Sequence, residues 1–156
     1  MKLIPILAAA LIAAPCFAQS NGGAQVFSGR DVTTQMASLV AKAKASGSSG
    51  AKLGEYGSHA IQLSVRTKSG GAEVHAHFDD IFYVTEGKAT LITGGTVIDA
   101  KANADGETHG KGIENGQIRT ISKGDIVNIP AGTPHQLKIA AGAVYAAVVI
   151  KVREGR

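Results

Sequence analysis

The chain has one cysteine, no tryptophan, four prolines and only 4% aromatic residues among 156 positions. A single thiol excludes an internal disulfide framework and any multi-cysteine zinc or iron–sulfur site. Charged side chains make up just 18%, and no segment gathers lysine and arginine with interleaved aromatics. The formal charge of +4 therefore does not describe a nucleic-acid groove. Sparse charge combined with 44% hydrophobic residues also excludes a disordered chain. No repeat of 20–50 residues is visible, and the length suits one domain.

The first 18 residues stand apart. Lys2 precedes an apolar run over residues 3–14, and the small residues Cys16 and Ala18 lie at −3 and −1 to a cut before Gln19. This is the pattern of a secretory signal peptide. The run is too short for a membrane helix, so no membrane partner is expected after cleavage. Removal would leave residues 19–156 without cysteine, in the periplasm or outside the cell.

Within residues 19–58 the spacing predicts one helix capped at Asp31. Val32, Met36, Leu39, Val40 and Ala43 form its apolar stripe at helical period. A Ser/Gly stretch over 46–50 reads as a flexible link. From residue 59 onward the pattern changes to short strands separated by Gly and Pro turns. Ile61, Leu63 and Val65 alternate over 59–66; segments 80–86 and 88–93 flank Gly87 as in a hairpin. Further strands are expected over 117–122, 125–129, 135–139 and 144–152, the last apolar on both faces and therefore central. About eight strands and one helix predict an all-β jelly roll, sandwich or barrel, over 59–156.

Five histidines are present: His59, His75, His77, His109 and His135. His75 and His77 flank one alanine, so on a strand both would leave the same face about 7 Å apart. Two such imidazoles can converge on one ion at about 2.0–2.1 Å per nitrogen. His135 is the third candidate, delivered by the turn Pro130-Ala131-Gly132-Thr133-Pro134. Taken alone, the His-x-His pair is equally open to a structural role.

These residues resemble the motifs of the cupin superfamily. Its first motif runs Gly, five residues, His-x-His, three or four residues, Glu, six residues, Gly. Here His75-Ala76-His77 is followed by Asp80 and, six residues on, Gly87. The second motif runs Gly, five residues, Pro-x-Gly, two residues, His, three residues, Asn. Gly124, Pro130, Gly132 and His135 keep every spacing, while Ile139 replaces the terminal Asn. The resemblance spans about 61–152 and implies a single cupin jelly roll with His75, His77 and His135 as metal ligands. Asp80 stands where Glu is usual, with only Phe78 and Asp79 between it and His77. It is a candidate fourth ligand or catalytic acid/base group, with an exposed turn acid as the alternative; Asp79 is a weaker substitute.

Residues 94–116 form a long, Gly-rich excursion between the motifs, either a solvated loop or a flap over the barrel mouth. His109 there reads as an exposed histidine, and His59 as partly buried or, less simply, lining the cavity. Three imidazoles and a carboxylate suit Fe, Mn, Ni, Cu or Zn without choosing among them. The function this implies is an exported metal-binding cupin that acts on or binds a small oxygen-rich or aromatic metabolite. As an enzyme it would be an oxygenase, isomerase or lyase; the alternative is a non-catalytic periplasmic small-ligand or metal-binding protein. Exposed sheet edges, which need cover, lead to the expectation of a homodimer.

Overall fold

A computed structural model describes residues 23–155. The leader expected over 1–18 lies outside the described residues. One helix, α1 (Gly29–Ser46), precedes thirteen strands among them. These are β1 (Ser48–Glu55), β2 (His59–Arg66), β3 (Ala72–His75), β4 (Phe78–Glu86), β5 (Lys88–Thr93), β6 (Thr96–Ile98) and β7 (Lys101–Ala102). They continue with β8 (Glu107–Gly110), β9 (Gly112–Glu114), β10 (Gln117–Ser122), β11 (Ile126–Ile129), β12 (His135–Lys138) and β13 (Tyr145–Arg153). No helix among the described residues is long and apolar enough to cross a membrane.

The strands form a five-stranded sheet, β1-β2-β13-β4-β11, facing a six-stranded sheet, β10-β5-β12-β3-β8-β7, with β6-β9 as a small third ladder. Every pairing is antiparallel. This is the all-β jelly-roll architecture that the strand pattern predicts. The final strand, β13, lies between β2 and β4; its apolar stretch is covered on both faces, with Tyr145, Ala147 and Val149 in the core between the sheets and Ala146 and Val148 in the cluster under α1.

Two apolar clusters hold the molecule. One fills the space between the sheets, with Phe82, Val84, Tyr145 and Val149 from the first meeting Leu91, Ile121 and Leu137 from the second. The other joins α1 to the outer face of the five-stranded sheet, where Leu39 and Ala43 meet Leu53, Leu63 and Val65. Val32, Met36 and Val40 complete the helical stripe. Burying each large apolar side chain stabilises the fold by about 1.5–3 kcal/mol.

Several local expectations change. The helix cap is Ser28, whose hydroxyl oxygen accepts from the Asp31 amide at 3.1 Å. Asp31 sits instead in the first turn, where its charge suits the helix dipole. The stretch expected as a link contains the C-cap Gly47, at φ 96°, and then enters β1. Gly87 does not turn a hairpin: β4 and β5 belong to opposite sheets. It turns a corner at φ 70°, and a Cβ there would lie 1.9 Å from the Val144 carbonyl oxygen. Finally, 94–116 is not a free loop but carries β6 to β9, with β8 paired to β3.

Candidate metal centre

β3 ends at His75, and this decides the site. The chain bends at Ala76 and His77, so strand alternation does not continue to the second histidine. His77 is exposed, its ring against Gly106, and the structure does not bring it to the other candidates. The residue that shares His75's face lies two positions earlier, at Glu73. Among the described residues, one ligating atom each of Glu73, His75 and His135 fall within 4.8 Å of one another.

Asp80 adjoins this group, buried to 4% exposure rather than standing on an exposed turn. Its Oδ2 lies 3.3 Å from Nε2 of His75 and 3.7 Å from Nε2 of His135. Its Oδ1 accepts from the Lys151 ammonium at 2.8 Å, which aims Oδ2 at the imidazoles. Asp79 serves elsewhere: its carboxylate accepts from the Ala131 amide at 2.8 Å and pins the turn that delivers His135.

The tautomers follow from their partners. Nδ1 of His75 faces the Glu107 carboxylate, and Nδ1 of His135 faces the Thr133 carbonyl at 3.1 Å. Both partners can only accept, so each Nδ1 carries the proton and each Nε2 turns a lone pair inward. A carboxylate or carbonyl on the distal nitrogen is the usual support of a metal-bound histidine. Nε2 of His75 is buried yet makes no hydrogen bond among the described residues. Its 3.3 Å approach to Asp80 becomes an ion pair only when the ring is protonated, and no hydrogen bond is aligned there.

The donor set fits a metal ion. Two donors at about 2.1 Å from one ion are at most about 4.2 Å apart. The His75–Asp80, His135–Asp80 and Glu73–His75 separations of 3.3, 3.7 and 3.9 Å all lie inside that span. Electrostatics agree. Burial pulls His75 downward, but the Asp80 and Glu107 carboxylates together leave the net value above that of an ordinary imidazole. Burial likewise depresses His135, against the Thr133 carbonyl and Asp80. Asp80 resists the upward push of burial because His75 and Lys151 hold it below the usual carboxylate value.

Reading the first motif backward from its glycine recovers this site. Six residues separate Gly87 from Asp80, four separate Asp80 from His75, and the alternating partner is Glu73. Glu73 thus takes the place of the first histidine. Glu107 had no signal of this kind, since it reaches His75 only through the β3–β8 pairing, Glu107 opposite His75. Neither His59 nor His109 joins the group. His59 stacks on Tyr56 with ring centroids 4.7 Å apart, and His109 is exposed.

The group opens into a cavity of about 150 Å³ between the sheets, a volume that elsewhere accepts benzene.

No protein-family model matches the sequence, and no curated protein matches it. Solved structures do. A predicted oxalate decarboxylase from Thermotoga maritima overlays with TM-score 0.51 at 13% identity, covering 69% of this chain and 81% of that one. An uncharacterized protein with a double-stranded beta-helix domain from Klebsiella pneumoniae gives 0.50 at 16% identity, covering 67% and 76%. DMSP lyase DddQ from Ruegeria pomeroyi gives 0.49 at 18%, covering 67% of this chain, which spans just under half, 46%, of that protein. On the overlays at 0.50 and above, the chain has the double-stranded β-helix fold. Within that fold Glu73, His75 and His135 form a group that could hold a metal ion, with Asp80 beside it.

Proposed function

We propose that the protein is an exported, metal-dependent cupin that acts on or binds a small oxygen-rich or aromatic metabolite. One divalent transition ion (Fe, Mn, Ni, Cu or Zn) would be held by Glu73, His75 and His135, with Asp80 as the fourth donor. The observation that carries this reading is the pair of inward-facing imidazole Nε2 atoms opposite two carboxylates, one of those nitrogens buried without a hydrogen bond. When bound, such an ion supplies Lewis acidity to an oxygen of the ligand. The chain's own residues do the rest. Glu107 and the Thr133 carbonyl hold the ring tautomers, and Lys151 aims the Asp80 carboxylate. Asp80 is also the acid/base candidate, because its carboxylate faces the cavity.

The test is metal analysis of protein purified from its native compartment. One equivalent of metal is expected, falling to background in His75→Ala and His135→Ala and unchanged in His77→Ala. Absence of stoichiometric metal would overturn the reading. A substrate screen of metal-loaded protein then separates an enzyme, which turns over, from a binding protein, which only saturates. Export predicts a mature N-terminus at Gln19, read by mass spectrometry. A homodimer predicts twice the chain mass in sedimentation, with exposed Ile118 and Ile126 near the free edges β10 and β11 as the candidate contact.

A further inference from the structure

β2 has an unusual assignment of faces. Its apolar residues Leu63 and Val65 lie beneath α1 on the outside of the sheet. Its polar residues Gln62, Ser64 and Arg66 point the other way, into the cavity. A half-buried strand ordinarily turns its polar face to water. Here the polar face lines the same cavity as the metal candidates, so the cavity is built for a polar occupant.

One further polar atom in the cavity wall has no partner. Tyr145, at 1% exposure, keeps a buried hydroxyl with no hydrogen bond among the described residues. Buried polar groups are nearly always satisfied, so the unpaired hydroxyl of this cavity-lining residue points to a ligand that supplies its partner. Tyr145 pairs with Arg66 across the β2–β13 ladder. Arg66 lies 3.6 Å from Oε1 of Glu73, whose Oε2 is 3.9 Å from Nε2 of His75. One carboxylate's width thus separates the guanidinium from the donor group.

Charge selects the class of occupant. Arg66 and Lys151 balance Glu73 and Asp80 among the lining residues, so a divalent ion would leave the enclosed walls at about +2. Arginine presents a planar fork that matches a carboxylate.

Resting on the metal reading above, we propose that the ligand is a small carboxylate with a second oxygen donor. Its carboxylate binds Arg66 and the Tyr145 hydroxyl, and its other oxygen is directed to the metal group. A cavity of about 150 Å³ suits a ligand of roughly benzene's size, such as a short-chain hydroxy-, oxo- or dicarboxylate.

The experiment is calorimetric titration of the mature protein carrying its purified metal, with metal content measured on each sample. Malonate is the probe and malonamide its neutral counterpart. Malonate is expected to saturate at one per chain and to bind at least tenfold more tightly than malonamide. Arg66→Gln should weaken malonate tenfold or more. Tyr145→Phe, which keeps the ring that packs the core, should weaken it several-fold while metal content stays at one equivalent. Equal binding of the two probes to fully metallated protein, or undiminished malonate affinity in both variants, overturns the carboxylate assignment alone. Missing metal instead overturns the reading on which it rests, and the two failures are read on different instruments.

Discussion

Glu107 does not belong to the proposed ligands, yet its removal should be felt at the metal. Its carboxylate accepts the Nδ1–H of His75 and thereby keeps the Nε2 lone pair facing Glu73, His135 and Asp80. Two substitutions separate the parts of this role. Glu107→Gln retains an oxygen that can accept the proton but loses the charge that strengthens the bond about twofold. Glu107→Ala removes the acceptor, so the ring is free to rotate or to move its proton to Nε2, which then cannot ligate. Loss of such a supporting partner typically costs 10–100-fold in metal affinity, or about 1.4–2.7 kcal/mol. We expect the Gln variant near the lower bound and the Ala variant near the upper. His77→Ala should change affinity less than twofold, since its ring rests against Gly106 outside the group. Competition against a chromophoric chelator measures all three. Equal affinities for Glu107→Ala and the unaltered protein would refute the reasoning, as would a His77→Ala loss larger than that of Glu107→Ala.

Two other outcomes are expected. Leu63, at 1% exposure between α1 and the sheet, should cost about 2–5 kcal/mol when replaced by Ala. Thermal denaturation reads this, with metal content retained because the cavity lies on the strand's other face. In metal-free protein, Asp80 is held below its ordinary 3.8. A carboxyl depressed in the folded state contributes stability above its unfolded value, and that contribution is lost as pH falls through the folded value. Stability should therefore decline with acidification below about pH 4, and part of that slope should vanish in Asp80→Asn. A slope unchanged by that substitution would count against the His75–Asp80–Lys151 cluster.

The sheet framework was legible because its signal is local. β2, β10 and β13 announce themselves through alternating or continuous apolar residues and turn boundaries, and the α1 stripe lands on the cluster its period predicts. The site was legible only in part, because its key fact is where a strand stops. His75-Ala76-His77 carries the signature of a same-face pair. Its meaning depends on β3 ending at His75, which tertiary pairing with β8 and β12 fixes. Spacing counted from Gly87 and Asp80 reaches Glu73, since those residues lie within one continuous segment. Glu107, Arg66 and Lys151 come from distant strands, and nothing in the linear order brings them to His75 or Asp80. Local chemistry also misplaced Gly87: a glycine between two strands reads as a hairpin until sheet membership separates them.

β2 places one more constraint on the molecule, in the fidelity of its folding. Side chains alternate with a period of two, so a slip of one residue exchanges the faces of a strand. Slipped against β13, β2 would press Arg66 under Leu39 and Ala43 and turn Leu63 and Val65 toward Glu73 and His75. Either error strands a charge in an apolar seat or an apolar group among charges. Correct pairing of β2 and correct lining of the cavity are therefore a single event. A chain that folds with α1 seated has already proofread its ligand site.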